Sequence, residues 1–128
     1  MLIGVVNQLV RKVLNSDRKI VFVSHPYSSN PESNIHKADY ICKQLYNEGY
    51  FPLSPLHLFS FMPDDKCRKL ILHICKLLIA ISDKVFIYDY GKLSEGQEEE
   101  LFFCAKHAID YKFKQPPKFK KRANEGWI

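Results

Sequence analysis

The sequence predicts an α/β protein built as a three-layer, Rossmann-like or flavodoxin-like parallel sheet of three to five strands with flanking helices. Two observations carry this expectation. Short runs of β-branched and aromatic residues, KIVFV at 19–23 and KVFIYDY at 84–90, alternate with longer stretches whose apolar residues recur every three or four positions. Loops bearing Ser, Pro or Gly follow the strand runs and lead into helix-start signals. Strands that alternate with helices run parallel through right-handed crossovers, so the loops at 24–29, 54–63 and 89–94 are expected on one rim.

Three segments are expected: a leading amphipathic helix in 1–18, the α/β domain in 19–111 and a basic tail in 112–128. In the first, Ile3, Val6, Leu9, Val10, Val13 and Leu14 share one helical face, which packs on the domain or on a second subunit. Lys19 to Val23 is a buried first strand, and Ser24-His25-Pro26-Tyr27 is the loop at its carboxyl end. Asn30-Pro31 starts a helix as N-cap and first helical residue, with Ile35, Ala38, Cys42 and Leu45 on its apolar face and Gly49 ending it. Tyr50 to Leu53 is a second strand, placed at a sheet edge by Pro52, which cannot donate to the ladder.

From Asp64 to Ser82, Cys67, Leu70, Ile71, Ile74, Leu77, Leu78 and Ile81 set a helical apolar face, with Arg68, Lys69, His73 and Lys76 opposite. Lys84 to Asp89 is the third strand. Ser94-Glu95-Gly96-Gln97 has the S-x-x-Q form of a capping box, so the next helix starts at Ser94. Its apolar face through Leu101, Ala105 and Ala108 turns Glu99 outward and puts Glu98 and Glu100 on the flanks, where a cleft can reach them. Tyr111 to Phe113 is a marginal fourth strand.

With 128 residues and 46% hydrophobic content, the chain suits one domain with a real core. No run approaches the ~18 apolar residues of a membrane span, and Arg11, Lys12 and Asn15 stand where a signal peptide needs its cleavage region, so a cytoplasmic protein without membrane association is expected. Cysteines 42, 67, 75 and 104 form no C-x-x-C pair, and His73-x-Cys75 directs its side chains apart on a helix, so neither metal nor cofactor is indicated. The +5 formal charge is concentrated in Lys112, Lys114, Lys118, Lys120, Lys121 and Arg122. Such a run reads as a solvated end, and without a stacking groove beside it no nucleic-acid partner is expected.

Ser24-His25-Pro26-Tyr27-Ser28, Pro52-Leu53-Ser54-Pro55-Leu56-His57, and Asp83-Lys84-Val85-Phe86 followed by Ser94-x-Gly96-x-x-x-Glu100 occur in an order and spacing that resemble the nucleoside 2-deoxyribosyltransferase-like superfamily. The resemblance covers about 19–109 and is nearest to a small branch found in bacteria and phages. It implies cleavage of the N-glycosidic bond of a nucleoside or nucleotide, by hydrolysis or deoxyribosyl transfer, with Glu100 as the helix nucleophile on C1′. A carboxylate suits that chemistry because the breaking bond builds oxocarbenium-like charge that a carboxylate stabilises and then traps. The family aspartate that assists the leaving base aligns with Cys75 here, so Asp89, His25 or another rim residue takes that role, or the chain is a noncatalytic nucleotide-derivative binder. Candidate site residues are Glu100 and Asp89 for catalysis, and Ser24, His25, Tyr27, His57, Tyr90, Ser94 and Gly96 for substrate binding. The resemblance also implies a homo-oligomer, a dimer in which a neighbouring chain completes the pocket. Phe102 and Phe103 point the same way, Phe103 being expected to face away from the core.

Overall fold

Clustered β-branched and aromatic residues favour extended backbone, and in this computed structural model they form the core strands of a four-stranded sheet. The structure describes residues 17–27, 31–62 and 64–119, backbone at 121–122 and 126–127, and Val5, Gln8, Leu9 and Lys12 of the leading segment. The elements are β1 (Ile20–Ser24), α1 (Pro31–Asn47), β2 (Phe51–Leu53), α2 (Pro55–Phe59), α3 (Asp64–Ile81), β3 (Lys84–Tyr88), α4 (Glu95–Lys106) and β4 (Tyr111–Lys114), followed by an antiparallel pair, β5 (Lys121–Arg122) and β6 (Gly126–Trp127). The sheet order is β2-β1-β3-β4, all parallel. Pro52 lies in the edge strand, as its missing N–H requires.

Alternation along the strands sorts side chains to two faces. Val21, Val23, Phe86 and Tyr88 meet Ile41 and Leu45 of α1 on one face, while Phe22, Val85 and Ile87 meet Cys75 and Ile79 of α3 and Cys104 of α4 on the other. Ser24 is two residues beyond Phe22 and therefore shares the α3/α4 face. At the amino end of the sheet, Asp83 Oδ2 accepts from Ile20 N (2.7 Å) and Asp83 N donates to Ile20 O (2.8 Å). The DKVF aspartate is thus a clamp far from the strands' carboxyl ends.

Several expectations require correction. The 54–63 loop contains α2, five residues long, with Pro55 in its first turn. Such a helix is too short to show a period. Both long helices on the second face are rotated from the expected setting. On α3 the sheet takes Cys75 and Ile79 and leaves Leu70 and Leu77 exposed. On α4 the buried residues are Gln97, Glu100 and Cys104. Ala105 is exposed, Ala108 lies past the helix end with φ 54°, and Phe103 packs against the core rather than away from it. Each helix carries apolar residues on more than one stripe, so tertiary contacts choose the buried one. The fourth strand, expected over Tyr111 to Phe113, runs one residue further, to Lys114.

Val5, Gln8, Leu9 and Lys12 have helical backbone, and all four are exposed. The other residues of the expected leading helix, Asn30 as the expected N-cap, and most of the basic tail beyond Phe119 lie outside the described residues. No helix among the described residues is long and apolar enough to cross a membrane.

Candidate functional site

The strand order reverses between β1 and β3, where the chain leaves β1 toward β2 on one side and later returns to β3 on the other. Open parallel sheets bind ligands outside the carboxyl ends of the strands at such a switch point. Gln97 stitches that point together. Its Nε2 donates to Ser24 O at 3.1 Å and to Tyr88 O at 2.8 Å, joining the last residues of the two strands. Its Oε1 accepts from Ser94 N (3.0 Å) while Ser94 Oγ accepts from Gln97 N (3.2 Å), so the expected capping box is complete. One buried amide therefore starts α4 and fixes it over the β1/β3 crevice.

One turn further on, Glu100 enters the same crevice and is 6% exposed. Ser24 Oγ donates to Glu100 Oε1 at 2.7 Å, and the Cys75 thiol of α3 donates to the same carboxyl group. Burial pushes the Glu100 pKa from 4.5 to about 7, an effect that the Ser24 and Cys75 donors oppose and the nearby Glu99 charge adds to. Burial and the Glu100 charge in turn raise the Cys75 thiol well above its usual range, and they raise Cys104 to about 11. These thiols act as neutral donors or packing groups and not as thiolate nucleophiles.

Above Glu100 opens a cavity of about 100 Å³. Its polar side includes His25, Tyr27, Ser94 and Gln97; Pro55, Leu56 and Phe59 of α2 with Ile71 and Leu72 of α3 form an apolar wall; Arg68 also lines it. A Cβ on Gly96 would stand 3.6 Å from Leu72 Cδ2, an ordinary contact, so the glycine leaves room without being sterically required.

Desolvation lowers the His25 pKa to about 4, the Pro26 carbonyl opposing and the Lys37 charge adding to the effect. The ring is neutral at pH 7. With its Nδ1 donating to Pro26 O at 2.8 Å, its Nε2 accepts from the Tyr90 hydroxyl. Tyr90 meets His25 edge-on, with ring centroids 5.0 Å apart, and its phenol is held protonated by burial.

Of the expected site residues, the structure gathers Glu100, Ser24, His25, Tyr27, Ser94 and Gly96 at or beneath one cavity. Tyr90 reaches it through His25. Two lie elsewhere. Asp89 Oδ1 accepts from Gly91 N at 2.8 Å, holding the turn in which Gly91 adopts φ 103°, and Asp89 does not line the cavity. His57 Nδ1 meets Ser54 Oγ at 2.8 Å and its Nε2 meets Asp39 Oδ1 at 3.3 Å, which ties α2 to α1 and turns the ring away from the lining. Glu98 and Glu99 are exposed, and Glu99 pairs with Lys76 at 3.7 Å.

Arg68 was expected opposite the apolar face, yet it lines the cavity. The signal was its spacing: 68, 71, 72 and 75 follow i, i+3, i+4, i+7 and so share a stripe. Gln97 was legible as a cap but not as the link between strands.

Residues 19–114 match the family described as Domain of unknown function (DUF7768). The chain belongs to that family. The match ends with β4, so the four-stranded sheet and the whole cavity lie inside the DUF7768 domain. No curated protein and no solved structure matches the chain. Among the described residues, no group of three or more His, Cys, Asp or Glu is arranged to hold a metal ion.

Proposed function

We propose that the DUF7768 domain of this chain cleaves the N-glycosidic bond of a nucleoside or nucleotide, by hydrolysis or deoxyribosyl transfer, with Glu100 as nucleophile. The observation that carries this reading is the Glu100 carboxyl group beneath the switch-point cavity, oriented by Ser24 and shielded from water. When ionised, a Glu100 oxygen attacks C1′ while the C1′–N bond breaks. The base leaves with the bonding electron pair and takes a proton from water at the open mouth. Water then attacks C1′ of the sugar ester, freeing Glu100 and the sugar; a second base in place of water gives transfer. The apolar wall beside Glu100 suits a flat base, and the polar side suits sugar hydroxyls.

The second reading, a noncatalytic nucleotide-derivative binder, is favoured by Cys75. It stands where the superfamily resemblance implies an aspartate, and among the described residues no second carboxyl group lines the cavity. Incubating the protein with deoxynucleosides and their 5′-monophosphates separates the two. Release of free base by wild type and its loss in Glu100→Gln support the enzyme; tight binding without release supports the binder.

A homodimer belongs to the same proposal. Phe102 (69% exposed) and Leu77 (68%) leave apolar surface on the α3/α4 side, of the kind that subunit contacts cover. Sedimentation at high micromolar concentration tests this, and a strictly monomeric species refutes it. Four free cysteines, two of them buried beside Glu100, fit a reducing compartment, and we place the protein in the cytoplasm.

A further inference from the structure

The segment after β4 leaves the edge of the sheet and crosses to α1. Asp89 N donates to Lys114 O at 3.1 Å, which ties the end of β4 to the loop after β3. Pro116 and Pro117 then fix two consecutive φ angles, so the chain leaves that tie stiffly. Phe119 packs against the α1-face core and meets Tyr40 edge-on, with ring centroids 5.5 Å apart. Three residues earlier on the same helix stripe, the Lys37 ammonium lies 5.9 Å from the Phe119 ring centroid and 5.4 Å from that of Tyr90. One cation thus contacts both rings. Tyr90 donates its hydroxyl to His25 Nε2 and stands edge-on to that ring. His25 is 6% exposed and lines the cavity, whereas Lys37, Tyr90 and Phe119 do not.

We infer that this segment is a strap that shapes the cavity from outside it: Phe119, seated on α1, holds Lys37 and Tyr90, and Tyr90 holds the His25 ring in the cavity wall. Phe119 and Tyr90 are then positioning residues. Phe119 lies beyond Lys114, the last residue matched to the family, so the cavity of this chain depends on an element outside the matched domain. The inference concerns the form of the cavity and stands whether its occupant is cleaved or only bound. Arg68, Cys75 and Glu100 share the lining with His25, while Lys37 and Tyr90 back the ring. With the strap in place, burial and the Lys37 charge both disfavour the imidazolium. Without it Tyr90 turns to water, so the Nε2 acceptor loses its donor and the ring hydrates. Both losses raise the pH at which the ring gains its proton.

NMR titration of the histidine Cε1–H resonances of the full chain reads this, with His25 assigned by the resonance lost in His25→Asn. In wild type the His25 resonance is expected to titrate at about pH 4. Phe119→Ala moves that midpoint above about 5, and Tyr40→Ala, which removes the seat of Phe119, moves it likewise. The double variant moves it no further than either change alone, because both act through one contact. Phe119→Tyr keeps the wild-type midpoint, as does Phe113→Ala, which takes an exposed ring from β4 instead. Phe119→Leu, which keeps bulk but loses the ring, repeats the test should the amide spectrum of Phe119→Ala show an unfolded chain. A strap that merely adds stability would lower the unfolding free energy in these variants and leave the folded-state midpoint at about 4, and that result overturns the inference. A wild-type midpoint near 6.5 overturns it too, as does a Phe113→Ala effect as large as that of Phe119→Ala. Base release is a separate measurement, and its absence from wild type would remove the glycosidic reading while leaving the strap intact.

Discussion

The two faces of the sheet share the same strands but are filled differently. On the α1 side, Val21, Val23, Ile41, Leu45, Phe86 and Tyr88 form a core of aliphatic and aromatic side chains. On the α3/α4 side the packing of Phe22, Ile79, Val85 and Ile87 gives way toward the strands' carboxyl ends to Ser24, Cys75, Gln97 and Glu100. A helix glutamate at that depth stabilises nothing by hydrophobic burial. Its carboxyl group is instead held against desolvation by two donors, at a cost in stability whenever it ionises. The α1 face packs aliphatic and aromatic side chains, whereas the α4 face buries a carboxyl group beneath the cavity.

The largest expected effect breaks the comparison from the site side. Glu100→Gln keeps size and the Ser24 contact but removes the proposed nucleophile, so under the glycosidic proposal base release should fall at least about a thousandfold, several kcal/mol in the barrier. Glu99→Gln, exposed and one residue away, should change the rate little. The α1 face answers to a different measurement. Ile41→Ala opens a void in the fully buried α1 core and should lower unfolding free energy by about 2–5 kcal/mol in urea titrations, with the chemistry proposed for Glu100 intact in the molecules still folded.

A third effect is the pH dependence of stability. Folded Glu100 holds its proton up to about pH 7, whereas the unfolded chain releases it near 4.5. Between those values the folded state binds more protons, so its stability falls as pH rises, by up to about 3 kcal/mol. His25 slopes the other way, because its folded pKa of about 4 lies below 6.5 and stability is lost as pH drops through that interval. From 4.5 to 6.5 the two slopes oppose each other in wild type. Glu100→Gln leaves only the His25 slope, so the variant should match wild type near pH 4 and exceed it above pH 7, as urea titrations across that range will read. The smallest effect belongs to Gly96→Ala. The added methyl meets Leu72 at contact distance and improves helix propensity, so stability should rise by about 0.5 kcal/mol while ligand affinity drops modestly.

The same contrast explains what was legible beforehand. Strand runs, the Pro52 edge, the Ser94 cap and the common rim are local or topological signals, and each stands in the structure. Helix rotation is not local. Leu70 and Ile71 are equally apolar, and only the sheet decides that the stripe through Cys75 turns inward and carries Arg68 into the cavity. Buried Gln97 and Glu100 contradict an apolar-face rule, since hydrogen bonds to Ser24 and Tyr88 replace hydrophobic contact. Position on the rim was also readable for Asp89 and His57. Side-chain direction was not, and the nearest backbone N–H, at Gly91, and the neighbouring Asp39 capture them.

The most direct test of the central claim is a covalent trap at Glu100. Wild type incubated with 2-fluorinated deoxynucleotides, in which fluorine slows hydrolysis of the sugar ester, should gain the mass of one fluorosugar phosphate. Peptide mapping should locate that mass on Glu100, with no adduct in Glu100→Gln. Base release with no adduct on that peptide, or an adduct on Glu98 instead, would contradict the account.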